Sequence, residues 1–167
     1  DRKFFDHSGI DPIGIGRAFY QSVLGDSQSQ QGGSTITQQY VKLTYLTSER
    51  SLERKLKEAV LAVKLEGELD KRDILTRYLN EIYFGRGAYG VEAASREYFG
   101  IGVENLQLHQ AAYLAGLIRS PESADAARDP EEATRRRDTV LAGMVSEGSI
   151  TSEQAEARAA REARVAA

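Results

Sequence analysis

The chain has 167 residues, of which 41% are hydrophobic and 28% charged, with a formal net charge of -3 and no cysteine. That is enough chain for one folded domain with a core, and it excludes disulfide frameworks, thiolate nucleophiles and cysteine-built zinc sites. His7 and His109 are the only histidines, too few for a mainly histidine metal site, and the slight negative charge offers no basic field for nucleic acid, so an anionic ligand needs a local cluster of cations.

In chain order, His7 follows two phenylalanines and precedes a Ser-Gly-Ile-Asp-Pro turn. A lone histidine in such a place is more often a satisfied turn or core residue than a catalyst. Residues 10–24 carry an apolar set, Ile10, Ile13, Ile15, Phe19, Tyr20, Val23 and Leu24, suited either to packing or to touching lipid. The polar stretch from Gly25 to Gly33 has few groups to pack and is expected to be mobile.

The segment GGSTITQQYVK ends at Lys42. Thr35 with Gln38 fits a capping box, so a helix is predicted to start here with free amide N–H groups facing outward. Thr35, Gln39 and Lys42 share one helical face with Gln38 alongside, while Ile36, Tyr40 and Leu43 line another that would anchor the helix. A glycine-rich entry, a helix N-terminus and a lysine suit a phosphate or other anion. On its own the segment also describes a well-capped amphipathic helix with solvated amides.

Residues 51–69 read as a helix whose main apolar stripe is Leu52, Leu56, Ala59, Val60 and Val63, with Glu53, Lys57 and Lys64 on the solvated arc opposite. Arg54 and Glu58 lie i,i+4 beside a second apolar strip, Leu61 and Leu65, and are expected to face a cleft or another helix. Spacing alone allows a structural ion pair equally well. Helices are also predicted over 72–83, 91–98, 108–118, 130–147 and 151–164, whereas strand patterns are scarce. Asn80 sits where a C-terminal cap would, and Gly85 to Gly90, with three glycines, reads as a tight turn. No stretch reaches the roughly 20 apolar residues of a membrane span. The chain opens at Asp1 without a methionine and is read as a fragment or processed product, 1–167 forming a single domain.

Five blocks in order resemble the family 51 glycosyltransferases, found in class A penicillin-binding proteins and monofunctional peptidoglycan glycosyltransferases. They are DRKFFDHSG from Asp1, GSTITQQ from Gly33 with Lys42, RKLKE from Arg54 to Glu58, KRDILTRYLN from Lys71 continued by GAYGVEAA, and Leu106 through Leu117. The second is the most specific. Leu43 and Gln110 depart from the family's usual asparagine and glutamate. The first block lacks the glutamate that should precede its aspartate.

The resemblance implies an all-α, lysozyme-like fold with a larger globular lobe and a smaller membrane-associated lobe. It implies polymerisation of lipid II into β-1,4 glycan strands on the extracytoplasmic face of a bacterial membrane, with the polar loop at 25–33 over the donor site. The transfer needs a general base for the acceptor 4-hydroxyl, in-line inversion at the donor C1, and positive charge for the departing undecaprenyl pyrophosphate. By the resemblance, the base is a glutamate immediately before Asp1, and Glu58 is the second carboxylate near the donor. Lys42, Arg54 and Lys55 would face the pyrophosphate, and Ser34, Thr35 and Gln39 would give polar contacts. Asp1, Phe4, His7 and Asn80 would shape the site. A divalent cation, Mg or Mn, on the pyrophosphate fits this scheme, with Glu58 reaching it through the pyrophosphate. Further implied partners are the lipid-linked strand, phosphoglycolipid inhibitors such as moenomycin, and a transpeptidase domain in the same chain. A lysozyme-like glycan hydrolase or lytic transglycosylase, or a non-catalytic lipid II-binding module, are the competing readings.

Overall fold

The computed structural model describes residues 1, 3–10, 34–46 and 52–156. The expectations for the apolar set beyond Ile10 and for the 25–33 loop lie outside those residues, as does the predicted final helix beyond 156. The described residues are all-α: α1 (Ile36–Tyr45), α2 (Leu52–Glu68), α3 (Lys71–Glu81), α4 (Val91–Phe99), a 3-10 turn (Val103–Asn105), α5 (Leu108–Leu117) and α6 (Pro130–Ser146). Among them the only extended pairing is one isolated antiparallel bridge between Tyr83 and Tyr89. No helix among them is long and apolar enough to cross a membrane. The chain divides into two compact units, residues 1–81 and 82–167.

In the first unit, α1 packs against both α2 and α3. It begins as its sequence predicts: Thr35 Oγ1 accepts from Gln38 N, and the Gln38 side chain accepts from Thr35 N. Such a cap stabilises a helix start by about 1 kcal/mol. The buried face of α1 is Thr37, Gln38, Tyr40 and Val41, so of the expected anchors Ile36, Tyr40 and Leu43 only Tyr40 is buried. Leu43 is exposed, whereas Thr37 can be buried because its hydroxyl donates to Glu66.

The main apolar stripe of α2 is likewise not its packing face. Leu56 is 67%, Val60 60% and Val63 47% exposed, while Ala62 and Glu58 are buried; the Leu52 side chain lies outside the described residues. At Ala62 and Val63 the first block makes a close backbone approach. A Cβ placed on Gly9 would lie 2.7 Å from Val63 N and 2.8 Å from the Ala62 carbonyl carbon, so the first block needs glycine there. Glu53 and Lys57 pair at 2.6 Å on the solvated arc, as expected. Asp70 ends the break between α2 and α3 by capping Asp73 N at 2.8 Å.

In the second unit, α5 packs along α6, where Gly116 admits the Arg136 side chain close to its backbone. Ala112, Leu114, Leu117, Ala133 and Leu141 are buried. The predicted tight turn is present: Gly85, Arg86, Gly87 and Gly90 all have positive φ. Arg86, strained at φ 51, is held by two bonds to the Asp125 carboxylate and stacks 4.5 Å from the Tyr98 ring centroid. Tyr98 donates to Phe84 O at 2.9 Å.

Candidate functional site

The sequence motifs of the first unit converge on the N-terminal end of α1 and the adjoining face of α2. Glu58 is the central acid. Its side chain is 3% exposed and receives Arg54 on one oxygen and Lys55 on the other, the latter at 2.8 Å. Helical spacing alone produces both pairs, i,i+4 and i,i+3. Lys55 also donates to Ser34 Oγ at 2.6 Å, which joins α2 to the entry of α1. Lys42 is exposed on α1.

The proton affinity of Lys55 is lowered, first by burial and then by repulsion from Arg54 and Lys42. Two cations, Arg54 and Lys55, share the Glu58 carboxylate, and Lys42 is near enough to Lys55 to repel it, so positive charge is in excess here. Like charges this close are stabilised by an anion that sits among them. Such an arrangement can receive an anion.

The helix N-terminus contributes less than expected. Ile36 N donates to Asp1 Oδ2 at 2.9 Å and Gln38 N donates to Thr35 Oγ1 at 3.1 Å. These amides are therefore occupied within the protein instead of facing outward. The Thr35 hydroxyl also works internally: it donates to Gly9 O at 2.8 Å, and the residue is 3% exposed. Gln39 receives the Tyr78 hydroxyl at 3.0 Å and reaches back to Ser34 O at 3.4 Å. Burial raises the Tyr78 proton affinity well above that of an ordinary tyrosine, so this hydroxyl stays a donor.

The first block is tied to the same place. The Asp1 carboxylate, 6% exposed, is 3.1 Å from His7 Nε2, and Phe4 is buried with its ring edge toward His7. Asp1, Phe4, His7, Ser34, Thr35, Gln39, Arg54, Lys55 and Glu58 are thus linked by contacts within one unit. Asn80 is not drawn into this set by its hydrogen bond, which runs to Thr76 O within α3 at 2.9 Å. Sequence reasoning assigned no role to Glu66, Lys71 or Thr37, which form a second polar cluster beside His7. The one signal was that Lys71 opens the fourth block. A cavity of about 380 Å³ borders this cluster, lined in part by Phe5, Asp6, His7, Glu66 and Lys71.

Both oxygens of Glu58 are engaged by cations, and no group of three or more His, Cys, Asp or Glu side chains that could hold a metal occurs among the described residues. The donor set described does not form a divalent-cation site of its own.

Comparison with known proteins finds close sequence relatives. Penicillin-binding protein 1A of Aquifex aeolicus is 51% identical over 156 residues, covering 93% of this chain and 21% of that protein. Penicillin-binding protein 1A of Streptococcus pneumoniae is 45% identical over 159 residues, covering 93% and 22%, and that of Escherichia coli 44% over 154 residues, covering 92% and 18%. The chain therefore spans about a fifth of the length of these relatives. A crystal structure of penicillin-binding protein 1A from Haemophilus influenzae matches 73% of this chain and 15% of its own at 26% identity, with a TM-score of 0.47, a value that carries no argument about the fold. The transglycosylase family model matches residues 1–145, and the chain belongs to the transglycosylase family.

Proposed function

We propose that the chain is the glycosyltransferase domain of a peptidoglycan synthase. It polymerises lipid II into β-1,4 glycan strands, with inversion and release of undecaprenyl pyrophosphate, at the extracytoplasmic face of a bacterial membrane. The observation that carries this reading is the surplus of positive charge where Arg54 and Lys55 flank Glu58 beside Ser34, with Lys42 near enough to repel Lys55. A leaving pyrophosphate gains charge as the C1–O bond breaks, and fixed cations in a partly dehydrated cleft stabilise that charge more than water does. Glycan hydrolysis has no leaving phosphate and no need of such a cluster.

Roles follow from position. Arg54 and Lys55 hold the pyrophosphate, Lys42 neutralises its outer face, and Ser34 and Gln39 orient donor oxygens. Glu58 keeps the two α2 cations extended and spaced. Thr35, Asp1, Phe4 and His7 build the wall. In this reading a glutamate directly before Asp1 would be the general base, taking the acceptor 4-hydroxyl proton as oxygen attacks C1. A divalent cation, Mg or Mn, would arrive on the pyrophosphate and not on a protein site. Moenomycin-type phosphoglycolipids fit the same cations, and a transpeptidase domain in the same chain would cross-link the product.

The test incubates protein extended upstream of Asp1 with lipid II and, separately, with finished glycan. Polymer from the first supports the proposal. Cleavage of the second without polymerisation would install the hydrolase reading instead, and lipid II binding with neither reaction would install the binding module.

A further inference from the structure

The cluster beside His7 has a chemical consequence. Lys71 Nζ donates to Glu66 Oε1 at 2.7 Å, lies 4.4 Å from the Phe4 ring centroid, and stands 3.5 Å from His7 Nδ1. Thr37 donates to the same Glu66 oxygen. Glu66 is 5% exposed and Lys71 20%, so the ammonium is fixed from three sides: a carboxylate, an aromatic face and the imidazole. On the far edge of that imidazole, Nε2 is 3.1 and 3.2 Å from the two Asp1 oxygens. Asp1 Oδ2 in turn accepts from Ile36 N.

An ammonium has only donors. The ring nitrogen that faces it must therefore be the acceptor, and the proton of a neutral imidazole must sit on the other nitrogen. That nitrogen faces Asp1, which as a carboxylate has only acceptors. We propose that Lys71, held by Glu66, is a positioning residue that fixes His7 as the Nε2–H tautomer, so that His7 donates to Asp1 and anchors the first block against the start of α1.

This rests on the glycosyltransferase reading only for its effect on turnover. In that reading the general base would directly precede Asp1, so the two anchors of Asp1, Ile36 N and His7 Nε2, would set where it points. Loss of one anchor loosens the base while leaving the cations around Glu58 intact, because those cations are held by different partners. The signature is a fall in kcat with donor affinity preserved.

The experiment uses the full-length protein and its Lys71→Met, Lys71→Arg and Glu66→Gln variants. Nitrogen-15 NMR of labelled histidine reads the tautomer of His7, whose signals are assigned by their loss in His7→Gln. Lipid II polymerisation gives kcat and KM, and calorimetry gives the affinity for inorganic pyrophosphate. The wild type is expected to show Nε2–H, and Lys71→Met a mixed tautomer population. Lys71→Met should also lower kcat by about tenfold or more, the scale of a small displacement of a reacting group, with KM and pyrophosphate affinity within about twofold. Lys71→Arg should restore both the spectrum and most of kcat. A wild-type His7 protonated on Nδ1, an unaltered tautomer in Lys71→Met, or equal losses in kcat and pyrophosphate affinity would each overturn the proposal. If Lys71→Met does not fold, the wild-type spectrum and Glu66→Gln decide it. A wild type that fails to polymerise lipid II overturns the function, while the histidine spectra still judge the tautomer.

Discussion

Thr35 Oγ1 donates to Gly9 O across 2.8 Å, joining residues 26 positions apart. The same oxygen accepts from Gln38 N, so one hydroxyl caps α1 and fastens the first block to it. Thr35→Val keeps the shape and removes both bonds. The lost cap is worth about 1 kcal/mol and the buried Gly9 carbonyl left unpaired about 1–3 kcal/mol. Urea unfolding should show a loss near their sum, with Thr35→Ser close to wild type. A Thr35→Val midpoint equal to wild type would contradict this role.

Gly9→Ala should be more damaging than the left-handed backbone alone explains. Gly9 has φ +78 and its absent Cβ would meet backbone at 2.7–2.8 Å. Gly148, at φ +71 with nothing within 4 Å, isolates the conformational cost of about 1–2 kcal/mol. Thermal melts of Gly9→Ala and Gly148→Ala are expected to differ clearly, Gly9→Ala being the less stable. Equal melting temperatures would mean that the approach of Gly9 to α2 does not matter to stability.

Glu58→Gln leaves Arg54 and Lys55 without their shared carboxylate. Polymerisation is expected to fall by at least about tenfold, in line with the loss of a group organising transition-state charge, while circular dichroism stays helical. Removing one partner of a buried pair also destabilises, so turnover should be measured well below the melting temperature. Near-normal turnover by the folded variant would remove Glu58 from the active site.

Lys55 gives an alkaline signature. Its proton affinity is lowered in the folded chain, chiefly by burial and then by Arg54 and Lys42. The unfolded chain therefore binds that proton more tightly, and this residue makes stability rise with pH through the window between its lowered value and the ordinary 10.5. Pyrophosphate affinity runs the opposite way, weakening as Lys55 loses its charge. Calorimetric titrations against pH should place that loss below 10.5, and Lys55→Arg should push it out of the measurable range. Identical profiles for the two proteins would argue against Lys55 as a phosphate contact.

Asp125 supplies the acid counterpart in the second unit. The Arg86 guanidinium holds its carboxyl below the usual carboxylate value, helped by Ala127 N and opposed by burial. Its contribution is complete above the unfolded value and disappears as pH falls through the lowered folded one. Asp125→Asn should therefore lower stability at neutral pH and flatten the acid limb of the stability curve. An acid limb as steep as that of wild type would show that other carboxylates govern it.

Local information was enough for much of this protein. The capping box at Thr35 and Gln38, the helix positions, the i,i+3 and i,i+4 pairs that deliver Lys55 and Arg54 to Glu58, and the glycine turn at 85–90 all depend on neighbours within a few residues. Such features follow from backbone periodicity and hydrogen-bond valence, which sequence spacing expresses directly. The motif order adds the family and, with it, the chemistry.

Tertiary structure decided which faces were buried. Periodicity marks Leu56, Val60 and Val63 as the greasiest face of α2, yet they stand exposed while Ala62 and Glu58 are covered. The reason is that burial depends on what approaches, and at Ala62 it is the Gly9 backbone, too close to carry a Cβ of its own. Likewise no spacing rule brings Lys71 to His7 across 64 residues or Asp1 to Ile36 across 35. Those contacts exist because α1 and the first block fold onto α2 and α3, and they hold the first block in place against the start of α1.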